Sequence, residues 1–140
     1  RTKHFLSLVG EHLSVDNMNK AIQLASEELN ICIPEFTVAG IPVGNFFAHH
    51  WYVACDDAIN ADFLGKLIDG KLKELNDDYA VERKSTLKEV RLSVLSEKQF
   101  MEFMKSKGKI GGQHKFPRVL KGEMLEDWQT FLQKEGSALR

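Results

Sequence analysis

The sequence predicts an α+β domain in which helices pack on a small, mainly antiparallel sheet. Three observations indicate this class. Residues 46–55 form an aromatic and Val-containing run that is typical of a strand. Several other segments carry apolar residues at the spacing of amphipathic helices. Strands and helices do not alternate strictly along the chain, and this mixed order favours α+β over a parallel βαβ arrangement.

The segments before the aromatic run predict strands and one helix. Within residues 1–13, the mainly apolar run at 5–9 is followed by Gly10, which predicts two short strands or one bent strand. Asp16 is expected to cap a helix over about residues 17–29, because apolar side chains recur on one of its faces. Residues 35–41 predict a strand that is closed by a Pro-Val-Gly-Asn turn.

After the aromatic run, the chain predicts a long helix and another strand. Asn60 or Asp62 would cap a helix that runs to about Asn76, since leucine and isoleucine form a stripe along it. Residues 87–95 place charged residues between apolar ones. They therefore predict a strand that is exposed on one face.

The C-terminal part predicts two further helices with a Gly-rich loop between them. Ser96 and Gln99 have the spacing of a capping box, which starts a helix that continues through Lys107. A last amphipathic helix is expected over about residues 123–134. Its apolar face consists of Leu125, Trp128, Phe131 and Leu132.

The composition limits the class of protein. The chain has 140 residues, the size of one ordinary domain. Hydrophobic residues make up 43% and charged residues 28%, which is a globular composition. The net charge of -1 argues against a dedicated nucleic-acid binder. No apolar run predicts a membrane helix. We therefore expect neither nucleic acid nor a membrane among its partners.

The start of the chain and its cysteines indicate the cellular context. The sequence opens on Arg1 with neither an initiator methionine nor a signal peptide, so we expect it to be part of a longer protein. Cys32 and Cys55 are the only cysteines, and each lies in an apolar stretch. They are expected to be buried thiols in a reducing compartment, which predicts a cytoplasmic protein.

No metal site is expected from the sequence. His49 and His50 are adjacent, but alternation along a strand sends them to opposite faces of the sheet. The acidic pairs at residues 56–57 and 77–78 are expected to end a strand and a helix. Neither pair indicates a metal without further ligands, and two cysteines do not build a structural zinc site unaided.

A cationic segment between Lys105 and Lys121 is the strongest chemical signal. No acidic residue lies between Glu102 and Glu123. Glycines interleave with the cations, an arrangement that brings backbone amides and mobile lysines to an anion together. The cations are Lys105, Lys107, Lys109, Lys115, Arg118 and Lys121, with His114 besides.

Charge alone leaves two interpretations of this segment equally open: an anion site and a solvated basic loop. A nucleic-acid patch is less favoured, because Phe116 is the one aromatic residue in the loop. A Walker loop is excluded, since no Gly-Lys-Ser or Gly-Lys-Thr is present.

The motif inside this segment resembles that of a known family. Residues 111–118 read Gly-Gly-Gln-His-Lys-Phe-Pro-Arg, which resembles the Gly-Gly-Gln-x-Lys-x-Pro-Arg signature of the auxin-responsive acyl acid–amido synthetases. Residues 1–5, with Gly-Glu at 10–11, resemble the hinge of bacterial members of this family. Residues 49–51 and 75–79 resemble its central strand and its Asn-x-Asp-Tyr segment. The resemblance therefore covers nearly the whole chain and is that of a bacterial-type member.

The resemblance implies a C-terminal lid domain of an adenylate-forming enzyme, similar in design to acyl-CoA ligases and luciferase. A large N-terminal domain, absent from this chain, would bind ATP with Mg²⁺ and a carboxylic acid. The acid is adenylated, and an amine such as that of an amino acid then displaces AMP. The lid alone is expected to be inactive. Departures from the family pattern at Ser7, Val9, His12 and Ala54 concern the substrate group and the hinge more than the fold.

The resemblance also implies roles for individual residues. Lys115 matches the mobile lysine of the family and is assigned to the transferring phosphate. Arg118 is either its helper at ATP or a structural salt bridge, and Pro117 stiffens the turn between them. Lys3 lies in the hinge, where it is a pivot or a phosphate contact, or else it is an exposed lysine. The residues expected to serve packing are His49, His50, Trp51 and Tyr79.

One competing interpretation requires no further domain. The chain would then be a non-catalytic α+β binding module whose basic loop docks an acidic partner or a nucleotide.

Overall fold

A computed structural model describes residues 15–43, 46–57, 59–84, 87–106, 118–120 and 122–139. Within these ranges the helices are α1 (Val15–Leu29), α2 (Ala61–Leu75), α3 (Asp77–Lys84), α4 (Glu97–Ser106) and α5 (Gly122–Leu139). The strands are β1 (Glu35–Val43), β2 (Phe46–Ala54), β3 (Leu87–Leu95) and β4 (Val119–Leu120). The strands predicted within residues 5–13 lie outside the described residues.

The described strands form one mixed sheet in the order β3-β2-β1-β4. β1 and β2 are antiparallel, with Glu35 opposite Ala54 and Val43 opposite Phe46. β3 is parallel to β2, and β4 is parallel to β1. The expectation of a mainly antiparallel sheet was therefore wrong. The physical reason is the connection from β2 to β3: α2 and α3 carry the chain back across the sheet, so β3 enters in the same direction as β2.

A register shift in β3 explains its apolar pattern. Phe47 pairs with Leu87, but the next residue of β2, Ala48, pairs with Glu89. One residue of β3 is therefore extra, as in a β-bulge. Without the shift, Leu87 and Val90 would face opposite sides of the sheet. With it, both contribute to the same core.

Each face of the sheet buries its own apolar core. On the first face, α1, α2 and α3 pack against alternate residues of β1, β2 and β3; its buried members include Met18, Ile22, Phe36, Val38, Trp51, Val53, Leu64, Ile68, Leu72 and Leu87. On the second face, α4 and α5 cover the other residues of the strands; its members include Ala39, Tyr52, Ala54, Phe100, Phe103, Leu120 and Trp128. No helix in the described ranges combines the length and the apolarity needed to cross a bilayer.

Two of the predicted helix starts are confirmed by their hydrogen bonds. Asn60 caps α2, since its Oδ1 accepts from the Phe63 amide at 2.9 Å. Ser96 and Gln99 form the predicted capping box. The Gln99 amide donates to the Ser96 hydroxyl at 3.2 Å, and the Ser96 amide donates to Gln99 Oε1 at 3.0 Å.

The acidic pair at 77–78 begins a helix and does not end one, because Asn76 serves two helices. The Asn76 amide donates to the Leu72 carbonyl at 2.9 Å, which closes α2. Its side-chain oxygen accepts from the Tyr79 amide at 3.0 Å, which opens α3. Two carboxylates in the first turn of α3 then suit the positive end of its dipole. Asp16 likewise lies inside the first turn of α1 and is not its cap, because that helix already starts at Val15.

The two cysteines differ in exposure. Cys55 is buried, as expected, but Cys32 is exposed. Cys32 lies in the connection between α1 and β1, where Ile31 and Ile33 pack against the first core and Cys32 between them is exposed. The apolar neighbours of Cys32 in sequence therefore do not bury it.

Trp128 is the centre of the second core. It is fully buried, and its ring centroid lies 5.0 Å from Phe103, 5.1 Å from Phe100 and 5.7 Å from Tyr52. Because truncation leaves a large cavity, we expect Trp128→Ala to lower the free energy of unfolding by about 3–5 kcal/mol, measured by urea denaturation. Met101→Ala on α4 is the control, since Met101 is 63% exposed. Similar losses in both variants would contradict this packing.

Candidate functional site

The cationic segment returns to the sheet at β4. Val119 and Leu120 pair with Val38 and Ala39 of β1. The Val38 amide also donates to the carbonyl of Arg118 at 2.9 Å. Leu120 is buried in the second core, and Val119 packs against the first. Arg118 is therefore the residue at which the segment joins the edge of the sheet.

The side chain of Arg118 is held by the first two residues of β1. Its Nη1 donates both to the carboxylate of Glu35 and to the carbonyl of Phe36, the latter at 2.9 Å. The guanidinium carbon lies 4.2 Å from the centroid of the Phe36 ring. Phe36 in turn stacks on Trp51 with centroids 5.8 Å apart. Ion pair, hydrogen bond and cation–π contact thus connect Arg118 to the first core.

The residues assigned to the site from sequence are only partly described. Arg118 lies against Glu35, whereas Lys115 and Lys3 lie outside the described residues. Lys105 is exposed in the last turn of α4, where its charge suits the negative end of the helix dipole. In the structure, Arg118 contacts the carboxylate of Glu35, a partner that the sequence analysis did not identify. No acidic residue lies within four residues of Arg118 in sequence, and nothing in the sequence identifies Glu35 as its partner.

His49 and His50 lie on opposite faces, as their alternation predicts. His49 is fully buried beside Tyr79, with ring centroids 6.2 Å apart. His50 stacks on Tyr52 at 4.2 Å, and its Nε2 lies 2.9 Å from the Ser93 hydroxyl. Across the residues that the structure describes, no three His, Cys, Asp or Glu side chains are grouped as a metal site requires.

Tyr79 belongs to a polar cluster that joins two helices to β3. Its hydroxyl donates to Asp69 Oδ1 at 2.5 Å, and Arg83 Nε donates to the same oxygen at 2.9 Å. Arg83 Nη1 also donates to the Leu87 carbonyl at 2.7 Å. Burial, followed by the negative charge of Asp69, raises the pKa of Tyr79. These contacts give Tyr79 the packing role that was expected of it.

Residues 16–123 match the GH3 family C-terminal domain. The chain belongs to this family. No curated protein matches it. Two solved structures share the fold of this GH3 domain. A GH3.15 acyl acid amido synthetase superposes with a TM-score of 0.65 at 20% identity over 82% of this chain. An AtGH3.15 acyl acid amido synthetase in complex with 2,4-DB gives a TM-score of 0.64 at 22% identity, also over 82%.

The GH3 domain spans about a quarter of these two proteins. It covers 24% of the first and 23% of the second. The family match extends from α1 to the start of α5. It therefore includes Glu35, Arg118 and the whole cationic segment.

The burial of His50 predicts that the stability of the GH3 domain depends on pH. Burial, followed by the positive charge of Arg91, lowers the pKa of His50 from 6.5 to about 4, although Glu89 acts in the opposite direction. The unfolded chain therefore takes up a proton at higher pH than the folded one. We expect the free energy of unfolding to decrease as the pH falls from about 6.5 towards about 4, because protonation of His50 favours the unfolded chain. Urea denaturation should show a weaker fall for His50→Gln, and identical pH slopes for the two proteins would contradict the assignment.

Proposed function

We propose that this GH3 domain is the smaller, mobile domain of an ATP-dependent acyl acid–amido synthetase. The family match over residues 16–123, which contains the motif at 111–118, is the observation that carries the proposal. Two acyl acid amido synthetases share the fold, and the domain corresponds to 24% and 23% of their lengths. These fractions support a larger N-terminal domain that supplies most of the sites for ATP and acid.

The proposed reaction has two steps. A carboxylate oxygen attacks the α-phosphorus of ATP, the bond to the bridging oxygen breaks, and pyrophosphate leaves. The nitrogen of an amine then attacks the acyl carbon of the adenylate, AMP departs, and the amine loses a proton. Negative charge accumulates on phosphate oxygens in the first step, and preorganised cations stabilise it.

Lys115 is the residue of this chain that we assign to that charge. Its ammonium is a compact point charge on a flexible stem, which suits a phosphate that changes shape. Arg118 is either a second cation at ATP or a member of a structural ion pair. Lys3 is proposed as a hinge pivot or phosphate contact between the two half-reactions.

Mg²⁺ would neutralise the phosphates of ATP when bound. Among the described residues, no three His, Cys, Asp or Glu side chains lie together, so these residues provide no cage of their own for the ion. We assign its ligands to ATP and to the N-terminal domain, and no described residue of this chain is given that role.

We also propose a cytoplasmic protein whose partners are its N-terminal domain and its small substrates. Cys32 and Cys55 are both free thiols. This state is the one that a reducing compartment maintains. Neither nucleic acid nor a membrane is among the proposed partners.

The activity itself is tested on the complete protein. We expect ATP–pyrophosphate exchange that depends on a carboxylic acid, and amide formation when an amino acid is added. The 140-residue chain, purified alone, is the control and should show no exchange. Exchange by this chain alone would contradict the two-domain proposal. If the complete protein shows no ATP–pyrophosphate exchange with any carboxylic acid, yet binds an acidic partner, the non-catalytic binding module would be favoured.

The role of Lys115 is tested by Lys115→Ala in the complete protein. Loss of one preorganised cation should lower the rate of pyrophosphate release by about 10²–10³, equivalent to about 2.7–4 kcal/mol. The unfolding midpoint should change little. Lys105→Ala is the matched control, because Lys105 is a cation of the same segment that lies exposed at the end of α4. Equal rates in the two variants would mean that Lys115 is an ordinary surface lysine.

A further inference from the structure

The strand β3 forms a long outer edge of the sheet. Among the strands that the structure describes, it has a neighbour on one side only, and it pairs with that neighbour from Leu87 to Leu95. β3 has nine residues, whereas β4 at the opposite edge has two. An edge of the length of β3 presents a row of backbone donors and acceptors to a further strand.

The backbone groups that face outwards on this edge belong to Val90, Leu92 and Val94. The Cys55 amide donates to the Leu95 carbonyl at 2.9 Å, so the backbone groups of Leu95 point towards β2. Because these groups alternate in direction along a strand, those of the three even-numbered residues point away from β2. A strand that adds to this edge would therefore pair with them.

The side chains of Glu89 and Arg91 form an exposed ion pair along the same edge. Glu89 lies opposite Ala48 and Arg91 opposite His50, which places both side chains on the second face of the sheet. Arg91 Nε donates to Glu89 Oε2 at 2.6 Å, and Nη2 donates to Oε1 at 3.3 Å. The side chains of Arg91 and Glu89 are 47% and 44% exposed. Nη1 and further carboxylate lone pairs are not used in this contact, so the pair has capacity for a second one.

We propose that two copies of this chain associate by antiparallel pairing of their β3 strands. Val90 of one copy lies opposite Val90 of the partner subunit, and the two exchange backbone hydrogen bonds because both face outwards. The two-fold axis then sets Glu89 of each copy directly opposite Arg91 of the partner subunit. Opposite charges at such positions stabilise an antiparallel pair. The four side chains form one ion-pair network across the axis.

The order of the charges favours a second copy as the occupant of this edge. Glu89, Val90 and Arg91 follow one another in sequence, so reversal of the strand exchanges the two signs. Antiparallel pairing about Val90 is therefore self-complementary. Pairing centred on Glu89 or on Arg91, or an in-register parallel pair, would bring like charges together, which is destabilising. The charges thus select both the direction and the register of the association.

The experiment measures self-association of the complete protein by sedimentation velocity over a range of concentrations. The wild-type protein should show a reversible equilibrium between monomer and dimer. Arg91→Glu sets two acidic pairs across the axis, and Glu89→Arg sets two basic pairs. Each variant should raise the Kd of the homodimer by about 10-fold or more. The urea unfolding midpoint should change little, because an exposed ion pair contributes little to stability.

Two combinations of these substitutions restore the complementary charges. A mixture of Arg91→Glu with Glu89→Arg should form a heterodimer about as tightly as the wild-type protein forms its homodimer. The double variant Glu89→Arg/Arg91→Glu should recover the homodimer. Either recovery requires that the substituted chains are folded.

Lys98→Glu is the matched control, since it changes the net charge by the same amount as Arg91→Glu. Lys98 is 81% exposed on α4 and lies 3.8 Å from Glu102, away from the β3 edge in sequence and in the fold. This variant should keep the wild-type Kd of the dimer.

Four outcomes would overturn the inference. The first is a wild-type protein that stays monomeric at every concentration. The second is wild-type self-association of both single reversals, which would assign the dimer to another surface. The third is a failure of the mixture and of the double variant to associate while their unfolding midpoints are unchanged. The last is a dimer of the 140-residue chain alone and a monomer of the complete protein, which would assign this edge to another part of the same protein.

Discussion

The antiparallel pairing of β1 with β2 is the contact on which the other elements depend. The two nine-residue strands pair along their whole length, from Glu35 and Ala54 to Val43 and Phe46. β3 attaches to the free side of β2, and β4 attaches to the free side of β1. Because side chains alternate between the faces, the same pair supplies both cores, with Trp51 on one side and Tyr52 on the other. The edge beside β1 is also where the cationic segment joins the sheet.

Most elements of the fold were predictable because their signals are local. Periodicity, with capping in α2 and α4, identified α1, α2, α4 and α5 as helices. The closing turn indicated β1, aromatic and Val content indicated β2, and alternation of charged and apolar residues indicated β3. The mixed direction of the sheet was not predictable from such signals, since direction is decided by how the connections cross the sheet. The helix α3 was missed because one residue, Asn76, both ends α2 and starts α3. β4 was not predicted, because two residues are too few to show a periodic pattern.

Only the part of the candidate site that lies in one continuous segment of the chain was predictable. The cationic motif is contiguous, and the opposite placement of His49 and His50 follows from alternation. The partner of Arg118 is different, because Glu35 lies 83 residues away in sequence and its contact exists only after the sheet has formed. The position of Cys32 depends in the same way on which neighbours reach the core. The sequence therefore identifies the cationic motif of the GH3 domain, but it does not identify the contact with Glu35 that holds Arg118.

The bulge in β3 acts as a phase correction within the strand. The residues after it keep Val90, Leu92 and Val94 towards the first core, while Ser93 reaches His50 on the other face. Removal of the extra residue at the bulge would leave the pairing of residues 89–95 with β2 intact and would restore regular alternation from Leu87 onwards. The bulge is therefore the point at which this strand can absorb a change of length. A one-residue change between Val90 and Val94 has no such outlet, and it would turn part of this apolar set to the second face. The length of β3 is consequently most constrained beyond the bulge.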